Sequence, residues 1–223
     1  MDIAWTSPER LSPPLTRLAA SAYCWSVPNL AHTSVPPWAR PGAPASSPVD
    51  AVANADAVAN ADAVASADDG GGAAYVLVGV GPEAAGVLAS WWDELAPRPG
   101  RPDPVVLCAA DVATAGERLA AALAEARVGV RVRLAGSVGC CLALRATAIA
   151  AGLEDDELSV APTGAGPIEV ACVHCGGVAS VEAAIGDVVG CPGCGRGLVI
   201  YHHVSRRLGR FLGFQADAGA SAE

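Results

Sequence analysis

The chain has 223 residues and a formal charge of −9, and all 14 of its basic residues are arginine. That acidic balance argues against a general nucleic-acid binder, which must neutralise phosphates with positive charge. No apolar run is long enough to cross a bilayer without charge. The best candidate, Val138 to Leu153, carries Arg145 and reads as a buried helix.

Residues 1–72 read as a proline-rich arm followed by a low-complexity linker, both largely disordered. Prolines recur at positions 8, 13, 14, 28, 36, 37, 41, 44 and 48, too often for regular helix or strand. Within the arm, Thr33-Ser-Val-Pro-Pro-Trp38, with Tyr23 and Trp25 upstream, is the part suited to grip something, with packing on the chain's own core favoured over a partner. Asp50-Ala-Val-Ala-Asn-Ala then returns at Asp56 and, with Ser66 for Asn, at Asp62. A six-residue period fits neither a heptad nor a solenoid. With Asp68-Asp-Gly-Gly-Gly72 after it, this stretch reads as mobile linker. The N-terminus lacks the basic start and apolar core of a signal peptide, which leads to the expectation of a cytoplasmic protein with reduced thiols.

Residues 73–163 alternate between strand and helix signals. Tyr75–Val80 is an apolar run of strand length, and Pro82–Leu95 then places Ala84, Val87, Leu88, Trp91 and Leu95 at helical spacing. A second strand is expected over Pro104–Ala109. Asp111 is suited to cap a helix whose core face is Ala115, Leu119, Ala122, Leu123 and Ala126. Gly129–Leu134 alternates as a third strand, a helix through Cys140–Ala151 follows, and Leu158–Ala161 is a fourth strand. The fold class is α/β: a small parallel sheet flanked by helices, a degenerate Rossmann-like or ferredoxin-reductase-like unit. Gly79, Gly81 and Asp111 are weak candidates for a dinucleotide site, since Gly79-Val-Gly-Pro-Glu-Ala84 matches that pattern only in part. Pro82 also removes an amide that would face a phosphate. Cys108 and the vicinal Cys140-Cys141 lie in this strand and helix pattern, as expected of small buried hydrophobes. Cys24 has no ligand spacing.

Residues 164–223 carry the strongest signal. Cys172-Val-His-Cys175 is followed, fifteen residues later, by Cys191-Pro-Gly-Cys194. Four thiolates at this spacing suit one tetrahedral zinc ion held between two tight turns, in a C-terminal β zinc ribbon. Glycine follows both pairs, at Gly176 and Gly195, where such a turn needs positive φ. Ile168–Cys172 enters the first turn as a strand, Gly186-Asp187 signals a hairpin, and Leu198–His202 leaves the second turn as a strand. A four-cysteine site leaves no open position for water, so one structural zinc per chain is expected and no catalytic residue is assigned. The alternative metal is iron in a rubredoxin-like electron carrier, because tetrahedral sulfur accepts both. The segment from Gly176 to Gly190 has no aromatic residue, which favours zinc. A nucleic-acid-binding ribbon is the third reading, disfavoured by charge. The tail mixes arginine with apolar residues and has no acid from Gly195 to Phe214. His202, His203, Ser205, Arg206, Arg207, Arg210 and Phe211 are therefore the candidates for a partner-docking surface.

Val170-Ala-Cys-Val-His-Cys175, Cys191-Pro-Gly-Cys-Gly195 and Leu198–Gly213 together resemble the C-terminal signature of the dimethylamine monooxygenase A-subunit (DmmA-like) family. Ala126–Gly136 and Gly152–Leu158 resemble that family's middle region. The chain departs from the pattern in its linker repeat, at Val204, where the family tends to have phenylalanine, and at Cys140-Cys141. The resemblance implies an accessory subunit of a multicomponent oxygenase that demethylates dimethylamine to methylamine and formaldehyde with NAD(P)H and oxygen. It also implies that haem and the flavin and iron–sulfur centres belong to companion subunits.

Overall fold

A computed structural model describes residues 33–42, 72–95 and 99–217. Four parallel strands build the first sheet: β1 (Ala74–Val80), β2 (Val105–Ala109), β3 (Val130–Ser137) and β4 (Leu158–Gly164), in the order β2-β1-β3-β4. They alternate with α1 (Ala84–Glu94), α2 (Val112–Ala124) and α3 (Val138–Ala150). The chain moves outward from β1 to β2, then back across β1 to β3 and β4. Right-handed crossovers therefore put α1 on one face and α2 with α3 on the other. The burial follows this split. Val76, Val78 and Val80 of β1 pack with Ala115, Leu119 and Leu123 of α2 and Leu144 of α3. Tyr75 and Leu77 point the opposite way, onto Ala84, Leu88 and Trp91 of α1. A two-residue alternation on a strand buried on both sides produces this division.

The predicted elements stand, with boundaries moved by a few residues. One strand position reads differently. Arg133 sits on the polar-looking side of β3, yet α1 covers that side and leaves the residue only 4% exposed. Glu94, at the end of α1, meets its guanidinium with two hydrogen bonds of 2.8 and 3.0 Å. The rings of Tyr75 and Trp91 lie 5.7 and 5.8 Å away. A bidentate carboxylate and aromatic faces are what a desolvated guanidinium requires.

The second sheet holds β5 (Ile168–Cys172), β6 (Val178–Val181), β7 (Val188–Gly190), β8 (Gly197–Ser205) and β9 (Arg210–Gln215), in the order β6-β5-β9-β8-β7. The hairpins at its two edges, β5–β6 and β7–β8, are antiparallel, and each is closed by one Cys-x-x-Cys turn. The hairpin expected at Gly186-Asp187 is not formed between neighbouring strands, because β6 and β7 lie at opposite edges of the sheet. The Gly186 turn instead ends a crossing segment and bonds to β8, through Gly186 N–H to Ile200 O and Ile200 N–H to Asp187 O, both 2.9 Å. Arg210–Gln215, read from sequence as part of a tail, is a central strand.

Helix α3 joins the two sheets. Leu142 packs in one cluster with Ile168, Val170, Ile200, Val204 and Phe211. Backbone approaches backbone at two points along the helix. A Cβ on Gly139 would lie 2.1 Å from the Pro167 carbonyl oxygen, and one on Gly209 would lie 2.4 Å from that of Leu142. The arm segment closes the same cluster. Val35 is 1% exposed there, beside Ala39 and Trp38. Thr33–Trp38 therefore packs on the chain's own core. The other arm and linker readings, with Tyr23, Cys24 and Trp25, lie outside the described residues.

Candidate metal centre and its surroundings

Each Cys-x-x-Cys turn is made by the same pair of backbone bonds. Cys172 N–H donates to Gly177 O at 2.8 Å, and Gly176 N–H donates back to Cys172 O at 2.9 Å. In the second turn, Cys191 N–H donates to Arg196 O at 2.8 Å and Gly195 N–H to Cys191 O at 3.0 Å. Gly176 and Gly195 take φ of 74° and 72°, the left-handed region that a side chain resists. These bonds turn both cysteines of each pair toward one point.

The four sulfur atoms lie within 4.8 Å of one another. Cys172 Sγ is 3.9 Å from Cys194 Sγ, and Cys175 Sγ is 3.5 Å from Cys191 Sγ. Sulfurs bound to zinc at about 2.3 Å in a tetrahedron stand roughly 3.8 Å apart, so the set fits a closed four-thiolate ion. The residues around it leave room for little else. Cβ atoms on Gly177 and Gly193 would stand 3.2 and 3.0 Å from Cys175 Sγ. Beneath the sulfurs, Leu198 and Val189 form a small apolar floor.

Four thiols this close cannot all ionise without a cation between them, and the protons distribute accordingly. The Arg196 N–H, partly opposed by burial and aided by neighbouring side chains, brings Cys194 down to about 6. The Cys175 N–H, ahead of the other causes, also lowers Cys172. At Cys175 the Gly177 N–H favours the thiolate, but the Cys191 thiol, burial and the other cysteines push it up to about 12. A divalent ion reverses that opposition, holding all four as thiolates.

His174 lies in the first turn, exposed and outside the sulfur cluster. Among the other cysteines, Cys141 is buried, and burial pushes its thiol up. Cys140 is half-buried. Cys108, expected inside, is exposed. The reason is that β2 is an edge strand beyond the reach of α1, so among the described residues one side of it is bare.

The three weak nucleotide candidates have local roles. Gly79 lets α1 sit on β1, since a Cβ there would be 2.5 Å from Leu88 Cδ1. At Gly81, the Glu83 carboxylate lies 3.0 Å from the Cβ position. Asp111 caps α2, accepting from Thr114 N–H at 2.8 Å and Thr114 Oγ1 at 2.9 Å, and this capping holds its carboxyl below the usual range. At the neighbouring strand end, the Ala165 carbonyl accepts from Val138 N–H at 3.2 Å and covers the start of α3.

The seven docking candidates separate. Phe211 is 2% exposed and holds the second sheet to α3 from inside, so it offers no surface. Arg206 reaches Glu154 at 2.9 Å and Asp155 at 3.3 Å, and Arg210 pairs with Glu169. Ser205 closes the β8–β9 turn, its hydroxyl accepting from Leu208 N–H at 3.3 Å. Arg207 is exposed, and His202 and His203 are half-buried on β8.

The histidines sit in an irregularity of the ladder. Ile200 pairs with Gly213 and Val204 with Phe211, so Tyr201, His202 and His203 oppose Leu212 alone. A bulge of this kind strips backbone groups of their ladder partners. The arm supplies replacements. Thr33 Oγ1 bonds to His202 O, while Ser34 Oγ donates to Val204 O at 3.0 Å and accepts from Val204 N–H at 2.9 Å. The sequence marked the arm segment Thr33–Trp38 but not its partner on β8, because the two lie about 170 positions apart.

Residues 169–214, nearly the whole of the second sheet, match the family model for the C-terminal domain of the dimethylamine monooxygenase subunit DmmA-like proteins. This stretch is similar to a DmmA-like C-terminal domain. The heme-dependent oxidative N-demethylase delta subunit of Ectopseudomonas mendocina (strain ymp) is 40% identical over 100 residues. That match covers 45% of this chain and 56% of the relative, so the chain spans about half the relative's length. No solved structure matches. The matched stretch thus contains both Cys-x-x-Cys turns and the bulge, while the arm that completes the bulge lies outside it.

Proposed function

We propose that this chain is an accessory, non-catalytic subunit of a multicomponent dimethylamine monooxygenase. The complex would oxidise one N-methyl group with NAD(P)H and oxygen, giving methylamine, formaldehyde and water. Haem and the flavin and iron–sulfur centres belong to its partner subunits in this reading, and the assembly is cytoplasmic. The observation that carries it is the four-thiolate cluster inside a DmmA-like domain. A relative whose name is that of a delta subunit of an oxidative N-demethylase supports the same role. Among the described residues, no helix is long and apolar enough to cross a membrane.

Bound there, zinc would cross-link two hairpins that have too little apolar area to fold unaided. Cys172, Cys175, Cys191 and Cys194 would hold it, closed to substrate. The protein's own residues then present a rigid β surface: the turns fix β5–β6 and β7–β8, and α3 fixes them to the parallel sheet. Residues 73–163 and 164–223 serve as body and docking module, with the arm as a strap. Co-expression of the full chain with the haem and flavin/iron–sulfur subunits tests this reading. One complex that elutes together and demethylates dimethylamine is the expected result. A chain that elutes alone, beside a complex fully active without it, would overturn it.

A further inference from the structure

The second sheet has two unlike faces. Ile200, Val204 and Phe211 point inward and are buried against α3 and the arm, and Leu198 is buried beneath the cysteines. The alternate residues point outward, and register aligns them across strands. Val188 pairs with Val199 and Val199 with Phe214, while Val173, just beyond β5, continues the row. A second row joins Ala171 and Leu212 to the bulge. The Tyr201 ring lies 5.1 Å from Phe214 and 4.0 Å from His202, so the bulge turns its aromatic side chains onto this face. Val173, Val188 and Phe214 are 51%, 43% and 38% exposed, Val199, Tyr201 and Leu212 are half-buried, and Ala171 is buried.

Large apolar side chains aligned over four strands mark an interaction surface. The charge around it narrows the partner. The segment from Val188 to Gln215 contains four arginines and no carboxylate, in a chain whose net charge is −9. Arg206 and Arg210 are held by Glu154 and Glu169. Arg196 and Arg207 have no ion pair among the described residues and stand at the two ends of β8, on either side of the apolar rows. We infer that this outer face docks on a partner protein whose contact patch is apolar at its centre and carboxylate-lined at its rim. The inference rests on the accessory-subunit reading and moves its contact from the hairpin arginines to Val199, Tyr201 and Phe214. Aromatic residues desolvated at the centre dominate such interfaces, and rim charges steer association.

The test uses the full chain co-expressed with the haem and flavin/iron–sulfur subunits. Phe214→Asp and Val188→Asp each place a carboxylate in the row. Val106→Asp, on the exposed edge of β2, is the matched control. Phe214→Asp is expected to weaken assembly at least about tenfold, with one metal per chain retained, and the control to assemble normally. Hydrogen exchange on the wild-type complex supplies a readout without substitution: amides of β7, β8 and β9 slow on assembly. If wild type assembles while both row variants do so equally well and these amides are unchanged, the face is overturned and the accessory reading stands. If wild type captures none of the subunits, both fall. If Phe214→Asp converts an isolated dimer to a monomer, the occupant is a second copy and the inference is wrong.

Discussion

The backbone bonds of the two turns bring the four sulfurs together, so the cysteines act as a unit. Cys191→Ser is expected to abolish metal binding rather than reduce it by a quarter, and elemental analysis of the purified variant checks this. The pH dependence follows from proton competition. Binding requires deprotonated thiols, so affinity falls as pH falls. Above about 6, Cys194 is already a thiolate and adds nothing to that slope. Below it, Cys194 too must release a proton, and a chelator titration should show affinity falling more steeply there. Ser34 bonds both the N–H and the carbonyl of Val204. Ser34→Ala leaves two partly buried backbone groups without their partner, an expected cost of about 1–3 kcal/mol. Denaturant unfolding measures it, and faster exchange of the Val204 amide locates it.

Helix α3 decides how the two sheets are related. Gly139→Val would drive a side chain into the Pro167 carbonyl, a backbone group that cannot rotate aside. Overpacking of this kind costs about 1–3 kcal/mol or more, and a substitution at exposed Glu117 on α2 should cost under about 0.5 kcal/mol. Thermal melts of the two variants distinguish them. These contacts also show where sequence reading stops. The parallel sheet was legible because strand-length apolar runs alternate with helical spacing at Ala84–Leu95 and Ala115–Ala126, and local periodicity suffices. The metal site was legible because its four ligands are sequence-local pairs. Strand β9 was not, since arginines mixed with apolar residues over Arg206–Phe214 read equally well as a charged tail. Arg206 reads as a docking residue in the sequence because Glu154, its partner in the fold, lies 52 positions away. Phe211 looked like an anchor for a partner, and its anchoring is internal. Sequence shows which side chains are sticky; only topology shows what they meet.

At the scale of the whole molecule, the chain is a parallel α/β layer and a β sheet clipped at its four-cysteine cluster, sharing one helix, with an arm stitched across the second sheet. The clip should therefore govern the arm. Stripping the metal with a chelator under reducing conditions is expected to raise exchange at Val204 and at the second sheet, and to leave β1 and β3 protected. Equal loss of protection in both sheets would show instead that the molecule unfolds as one unit. If the four thiolates hold a structural ion, metal analysis with a visible absorption spectrum, on the full chain purified under reducing conditions, gives one zinc per chain and a colourless solution. One iron per chain, with thiolate-to-iron absorption that bleaches on reduction, would contradict it and make this chain part of the electron path.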